Sequence, residues 1–314
     1  MTVYQSKFPH GIMFHRFKNP KDKNKPKGTL TAKNLKRIIN FIGRERILSP
    51  NEWIEKLNKG NLSKKDVCLT FDDGLKSQLK VALPVLEKFN IKAFWFVHCN
   101  NLPKNFDKNE IFSILIYKRF KNYVKFTEKF LKYMKVDPDV FESKEFINYY
   151  NEENNLYKNI HSETEIKYKF FRDIYYPRKK FENIMESFFN TYKLNINNFH
   201  KNTWLNKKDL IKLDKKGHLI GIHSFSHPYR MESLSEKKQK VEYTKNFTYL
   251  KSLLKKNPIA MSHPLDSYNN FSLKILKKLG IVCGFRAHIK VSKGSKINPS
   301  SLELAREDPT NIFK

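Results

Sequence analysis

Short, nearly continuous apolar runs punctuate the chain: 11–17 (GIMFHRF), 66–71 (DVCLTF), 91–98 (IKAFWFVH), 218–223 (HLIGIH), 259–262 (IAMS) and 281–287 (IVCGFRA). Runs of this length, bounded by Gly, Pro, Asn or Asp, predict strands buried on both faces, as in a parallel sheet. Between them apolar positions recur at three- and four-residue spacing, which predicts helices over about 32–42, 50–58, 75–89, 206–216, 236–256 and 270–279. The boundaries carry start and stop chemistry. Thr31 and Ser235 stand at N-cap positions, Ser49 is followed by Pro50, and Gly43, Gly217 and Gly280 follow helix ends. Pro84 falls inside the 75–89 helix, and 302–305 (LELA) predicts one more short strand. Strand–helix–strand alternation of this kind predicts parallel βαβ units.

The alternation stops between 105 and 198, where long helical patterns rich in Lys, Phe, Tyr and Asn hold no clear strand. The expectation is one domain, 1–314, with a helical insertion at about 101–203. A chain of 314 residues with 39% apolar and 14% aromatic positions can build such a core, which excludes global disorder. No apolar stretch approaches the length of a bilayer-crossing helix, and the first residues lack the apolar run of a secretory signal, so a cytoplasmic protein is expected. Three cysteines, Cys68, Cys99 and Cys283, are too few and too scattered for a disulfide scaffold.

The formal net charge is +30, yet only ten of the 61 basic residues are arginine. Nucleic-acid readers rely on arginine for bidentate contacts, so a nucleic-acid partner is not expected. The lysines read chiefly as decoration of solvated faces, with peripheral contact to an anionic membrane as the remaining use.

Two motifs carry candidate chemistry. Thr70-Phe71-Asp72-Asp73-Gly74 ends one predicted strand, and functional residues of parallel α/β folds gather at such carboxyl ends. Two adjacent carboxylates there call for a cation or a proton, and suit a division between metal ligation and proton transfer. His223-Ser224-Phe225-Ser226-His227 leaves another strand; two imidazoles four apart can converge on one ion if the segment between them turns. Two histidines and one carboxylate leave open positions on a catalytic metal.

TFDDG followed well downstream by HSFSH resembles the polysaccharide deacetylases, carbohydrate esterase family 4, with the NodB-like fold. GIMFHRF resembles the opening strand of the branch that carries an N-terminal histidine, and 259–269 (IAMSHPLDSYN) sits where the family has its Pro-containing third motif. The resemblance covers about 1–100 and 204–314. It implies an α/β fold, a distorted and incomplete (β/α) barrel of the NodB-like type, around one divalent metal, with zinc favoured. It further implies Asp73, His223 and His227 as metal ligands and Asp72 as general base. A backbone N–H near His263 would be an oxyanion donor, Pro264 having none to give.

The motifs also depart from the family pattern. Ser262 stands where many members have a base-orienting arginine, Asp266 replaces the third-motif glycine, and no C-terminal Leu-x-His is visible. The leaving amine still needs a proton, and His15 is the candidate acid, with His288 as the alternative. Arg286 and Arg306 are candidates for the missing arginine, although solvated or structural roles are the simpler expectation. His263, Asp266 and Tyr268 are candidates for substrate binding; Cys99 and Trp204 read as packing. The functional expectation is a metal-dependent N-deacetylase acting on an amino sugar of a bacterial surface glycan or its lipid-linked or activated precursor, in the cytoplasm or at the inner membrane face. Alternatives are a deformylase or other amide hydrolase using the same site, and a degenerate member that binds glycan without turnover.

Overall fold

The computed structural model describes residues 4–22, 26, 28–99, 107–157, 161–200, 203–289 and 296–312. In chain order the elements are β1 (His10–Phe14), α1 (Ala32–Ile42), β2 (Ile47–Leu48), α2 (Pro50–Asn58), β3 (Val67–Phe71), α3 (Leu83–Lys88) and β4 (Phe94–Val97). Next come α4 (Lys108–Phe120), α5 (Tyr123–Met134), α6 (Lys144–Tyr157), α7 (Glu163–Phe170), α8 (Arg178–Thr191) and α9 (Asn197–His200). The chain closes with α10 (Lys207–Lys215), β5 (Leu219–Ile222), α11 (Glu236–Leu254), β6 (Ala260–Ser262), α12 (Asn270–Lys278), β7 (Cys283–Phe285) and β8 (Arg306–Glu307). Two compact units result: 1–21 with 28–107 and 202–314, and 22–27 with 108–201. The opening of the expected insertion, 101–106, lies outside the described residues.

The first unit is a parallel sheet curled into a nearly closed barrel. Its order is β7-β6-β5-β4-β3-β1-β8, with β2 on the lower edge of β3, and every pairing is parallel. The seam falls between β7 and β8. There the ladder is reduced to one bridge, Phe285 to Leu304, and a few backbone bonds such as Arg286 N–H to Leu304 O. β1, β3 and β4 are buried at every position, which explains why they read as unbroken apolar runs.

Register sets the height of the site. Phe14 lies opposite Phe71, and Phe71 opposite Trp95. Their rings stack at 5.1 and 4.6 Å, a cross-strand aromatic row. The next residue on each of the first two strands is His15 and Asp72, so the row places both at one end of the barrel. The Asp72 N–H extends the ladder to Phe14 O.

Thr31 and Ser49 cap through their side chains as their sequence positions suggest, whereas Ser235 precedes α11 without a side-chain cap hydrogen bond. Thr31, Ser49, Asn206 and Asn269 each form a reciprocal capping box. Two predicted elements differ, and one short strand has no counterpart in the sequence pattern. The 75–89 helix opens as a π-helical turn, Gln78–Ala82, because Pro84 brings no N–H to the ladder and its ring crowds the preceding turn. The last strand lies at Arg306–Glu307 rather than 302–305, since 301–304 is drawn to β7 before the chain crosses to β1. β2, two residues long, is too short to register as a period.

The elements of the second unit are helices among the described residues. Phe112, Phe120, Phe126, Phe130, Tyr168, Phe181, Phe188 and Phe189 form its aromatic core, and a smaller cluster gathers Phe146, Tyr149, Ile166 and Phe170. Beside them, Lys169 Nζ and His161 Nδ1 each lie 3.1 Å from Glu153 Oε2.

Candidate active site

Asp73, His223 and His227 bring one ligand atom each to within 4.8 Å of one another, the one such cluster among the described residues. Backbone conformation makes this possible. Asp73 has φ 71° and Gly74 φ 66°, a double left-handed turn that ends β3 abruptly. A Cβ on Gly74 would sit 3.0 Å from Val97, so close approach as well as φ calls for glycine there. Ser224 and His227 also have positive φ, at 66° and 53°, which folds HSFSH back on itself. Glu242 of α11 holds that fold, accepting from the N–H groups of Phe225 and Ser226 and from Ser226 Oγ. Asn246, one turn on, accepts from the His223 N–H at 2.8 Å.

The imidazoles are oriented from behind. His223 Nδ1 donates to Ser262 O at 2.8 Å, which fixes the tautomer and leaves the Nε2 lone pair facing Asp73 Oδ1 at 3.4 Å. His227 Nε2 lies 3.6 Å from the same oxygen, and its Nδ1 faces buried Asp107 Oδ2 at 3.4 Å. Carboxylate and carbonyl partners behind two ligating histidines are the usual support of a metal centre, so the donor set fits a divalent ion. Burial opposes ionisation of Asp73, but the imidazoles of His223, His15 and His227 gathered around it hold its carboxyl well below the ordinary range.

Asp72, 2% exposed, is gripped by Arg306. Nη1 donates to Oδ1 and Nη2 to Oδ2, both at 2.7 Å, and Ser262 Oγ donates to Oδ2 at 3.1 Å. Arg306 also donates to Arg286 O, to Thr70 Oγ1 and to Ser262 Oγ. Burial opposes the charge on Asp72; Arg306, followed by His223, outweighs it and keeps the carboxyl below its usual range. The expectation of a solvated Arg306 is therefore corrected: β8 brings its guanidinium onto Asp72, and Ser262 joins it on the same carboxylate. Arg306 crosses the sheet over Gly11, where a Cβ would lie 3.1 Å from its Cγ. Arg286 is spent on Glu303 O and Ile297 O.

His15 is partly exposed, with Nε2 3.9 Å from Asp72 Oδ2. His288 instead pairs with Asp266 at 2.9 Å. Asp266 also accepts from the Ala287 N–H, while Tyr268 donates to Glu303 and stacks on His263 at 4.0 Å. His263 is buried, its Nε2 bonded to Leu302 O and its N–H given to Phe285 O. Of the residues expected to bind substrate, Asp266 and Tyr268 thus have internal partners, the buried His263 Nδ1 has no hydrogen-bond partner among the described residues, and the His263 N–H is taken by Phe285 O. The reason is the third-motif turn, whose Leu265 and Asp266 both have positive φ and fold the loop onto 285–288 and 302–303. Cys99 accepts from Asn246 Nδ2, and burial pushes its thiol up to about 12, as a packed cysteine requires. Trp204 is buried edge-on against His98, whose imidazole is pushed down to about 3 by burial and then by His227.

Asp107 and the inward Glu242 and Asn246 were not singled out from sequence. The spacing of Glu242 and Asn246, one helical turn apart on α11, was the available signal.

A parallel barrel with two acidic residues and two histidines at one rim defines a hydrolase-type site. A sequence profile of the polysaccharide deacetylases matches residues 59–135 and 173–284, well over half of the chain, and the protein belongs to that family. Family membership supports a hydrolase acting on N-acetyl groups of a glycan. No curated protein gives a significant match. The fold is similar to that of the Streptococcus pyogenes deacetylase PplD in complex with acetate, at 16% identity, with 98% of this chain and 97% of that one covered and a TM-score of 0.53. It is also similar to IcaB from Ammonifex degensii (12% identity, 99% and 97% covered, TM-score 0.57). A third likeness is to a de-N-acetylase from Aggregatibacter actinomycetemcomitans (14% identity, 97% and 99% covered, TM-score 0.53).

Proposed function

We propose that the protein is a metal-dependent N-deacetylase acting on an amino-sugar residue of a bacterial surface glycan or its precursor, within one domain into which the helical unit is inserted. The observation that carries this is the convergence of Asp73, His223 and His227 beside an ionised Asp72 clamped by Arg306. Asp73, His223 and His227 would hold one divalent ion, zinc being favoured by the donor set. When bound, that ion supplies Lewis-acid polarisation of the amide carbonyl and eases deprotonation of water.

The chain's own groups do the rest. Asp72 takes a proton from the attacking water; Arg306 and Ser262 keep its carboxylate at one angle and ionised. His15, at the same rim and in contact with solvent, delivers a proton to the departing nitrogen. The C–N bond breaks with the amine leaving neutral, because an amide anion is too basic to leave unaided. Asp107 and the Ser262 carbonyl hold the imidazoles of His227 and His223 in place.

Elemental analysis of the purified protein and of the His223→Ala, His227→Ala double variant tests this, beside acetate release from N-acetylated amino-sugar oligomers and activated amino sugars. We expect about one equivalent of ion per chain, lost in the double variant. Wild-type protein that stays free of metal after zinc is added back overturns the reading.

A further inference from the structure

We propose that the barrel rim built from the loop after β6 and the first turns of α11 and α12 is a docking surface for an anionic lipid bilayer. A helix that follows a parallel strand begins at that strand's carboxyl end. The starts of α11 and α12 therefore share the face that carries Asp72, Asp73, His223 and His227. The two segments are laced into one surface. The Glu232 N–H donates to Ser267 Oγ, Asn269 Nδ2 to Glu232 O, and Ser272 Oγ to Gln239 Oε1.

This surface displays apolar side chains. Val241, Leu265 and Phe271 are 41%, 40% and 40% exposed. Leu265 is held there at φ 50°, a conformation unfavourable for leucine, by the turn that Asp266 anchors through the Ala287 N–H and His288. Lysines stand among them: Lys237, Lys238, Lys240 and Lys274 are all exposed, and Lys245 lies over the Phe225 ring at 5.0 Å. Neighbouring acids offset little of that charge. Glu232 is paired with Arg230, and Glu242 is turned onto Ser226, which leaves exposed Glu236. Exposed apolar side chains on segments that also carry exposed lysines suit the interface of an anionic membrane, where the former enter the headgroup boundary and the latter meet its negative potential. A nucleic acid would have no use for the exposed Val and Leu. On the deacetylase reading, which this corollary rests on, docking turns the site toward amino sugars anchored in the bilayer.

Co-sedimentation with phosphatidylcholine vesicles, with and without phosphatidylglycerol, tests the surface. We expect binding only to the anionic vesicles, weakened by salt. Changing Lys237, Lys238 and Lys274 to Glu should lower partition roughly tenfold or more. The same change at Lys251, Lys255 and Lys256, at the far end of α11, should alter it by less than about threefold, since interaction falls off within a Debye length. Phe271→Trp should show a blue-shifted emission on anionic vesicles, a readout that needs no loss of charge. The Asp72→Asn variant should bind as wild type does, which separates failure of docking from failure of the catalytic reading. No binding to anionic vesicles overturns the proposal. So does equal loss from the two lysine sets, which would mean diffuse charge. Binding that survives Val241→Ser, Leu265→Ser and Phe271→Ser together, and is competed by single-stranded RNA, would make the surface a polyanion site instead.

Discussion

Arg306 and Asp72 meet through two parallel hydrogen bonds of 2.7 Å, although 234 residues separate them in the chain. Both side chains are almost fully buried. A guanidinium fork matches a carboxylate in a way that an ammonium cannot, so the pair fixes both the charge and the angle of Asp72. Arg306→Lys should retain bound metal and lower kcat by about a hundredfold, a loss of the size seen when a catalytic group is misplaced. Arg306→Ala should in addition destabilise the protein by about 3–5 kcal/mol, because a buried carboxylate loses its partner. Metal content, steady-state kinetics and denaturant unfolding read these separately; unchanged kcat in Arg306→Lys would show that the grip is structural alone.

Asp107 stands behind His227 at 3.4 Å. On the proposed function its carboxylate would orient the imidazole on the ion, as partners behind ligating histidines do. Asp107→Asn should weaken zinc binding about ten- to a hundredfold while leaving the thermal midpoint of the apoprotein near that of wild type. Competition with a chromogenic chelator measures the affinity. Wild-type affinity in the variant would mean that His227 is held by its backbone turn instead.

His15 is proposed to deliver the proton, and that role separates from metal binding. His15→Gln should keep the ion and lower kcat by about a hundredfold or more, in the range for loss of a general acid. The loss should shrink for substrates whose leaving amine is less basic. If His15→Gln turns over normally, the proton comes from solvent.

Glu153 makes the helical unit sensitive to acid. Burial opposes its ionisation, but the hydrogen bond from His161 and the charge of Lys169 bring the carboxyl down to about 2 from its ordinary 4.5. A carboxyl lowered in the folded state binds fewer protons there than in the unfolded chain. Its contribution is complete above about 4.5 and is lost as pH falls toward about 2. Urea unfolding of the full chain followed at several pH values should show this fall. Glu153→Gln should remove that part of the dependence and lower stability near neutral pH by about 2–3 kcal/mol. Identical acid profiles for variant and wild type would rule the carboxyl out as its source.

Much of the barrel and the centre of its site were legible in the chain itself, because the signals are local. Buried parallel strands must be apolar along their length, caps must sit beside the turns they satisfy, and Asp72-Asp73 and His223…His227 each lie within five residues at a strand end. What acts on them from a distance was not legible. Arg306 reaches Asp72 only because β8 pairs with β1 at the seam, and Gly11 leaves room for its side chain. Asp107 precedes α4, in a segment read only as the start of an insertion, and the third-motif loop turns inward through two left-handed residues that composition does not announce. Periodicity reports which face of an element is buried; it carries no record of which distant element covers it. Sequence placed the candidate ligands and the candidate base at strand ends, and the closing of the barrel decided what holds them.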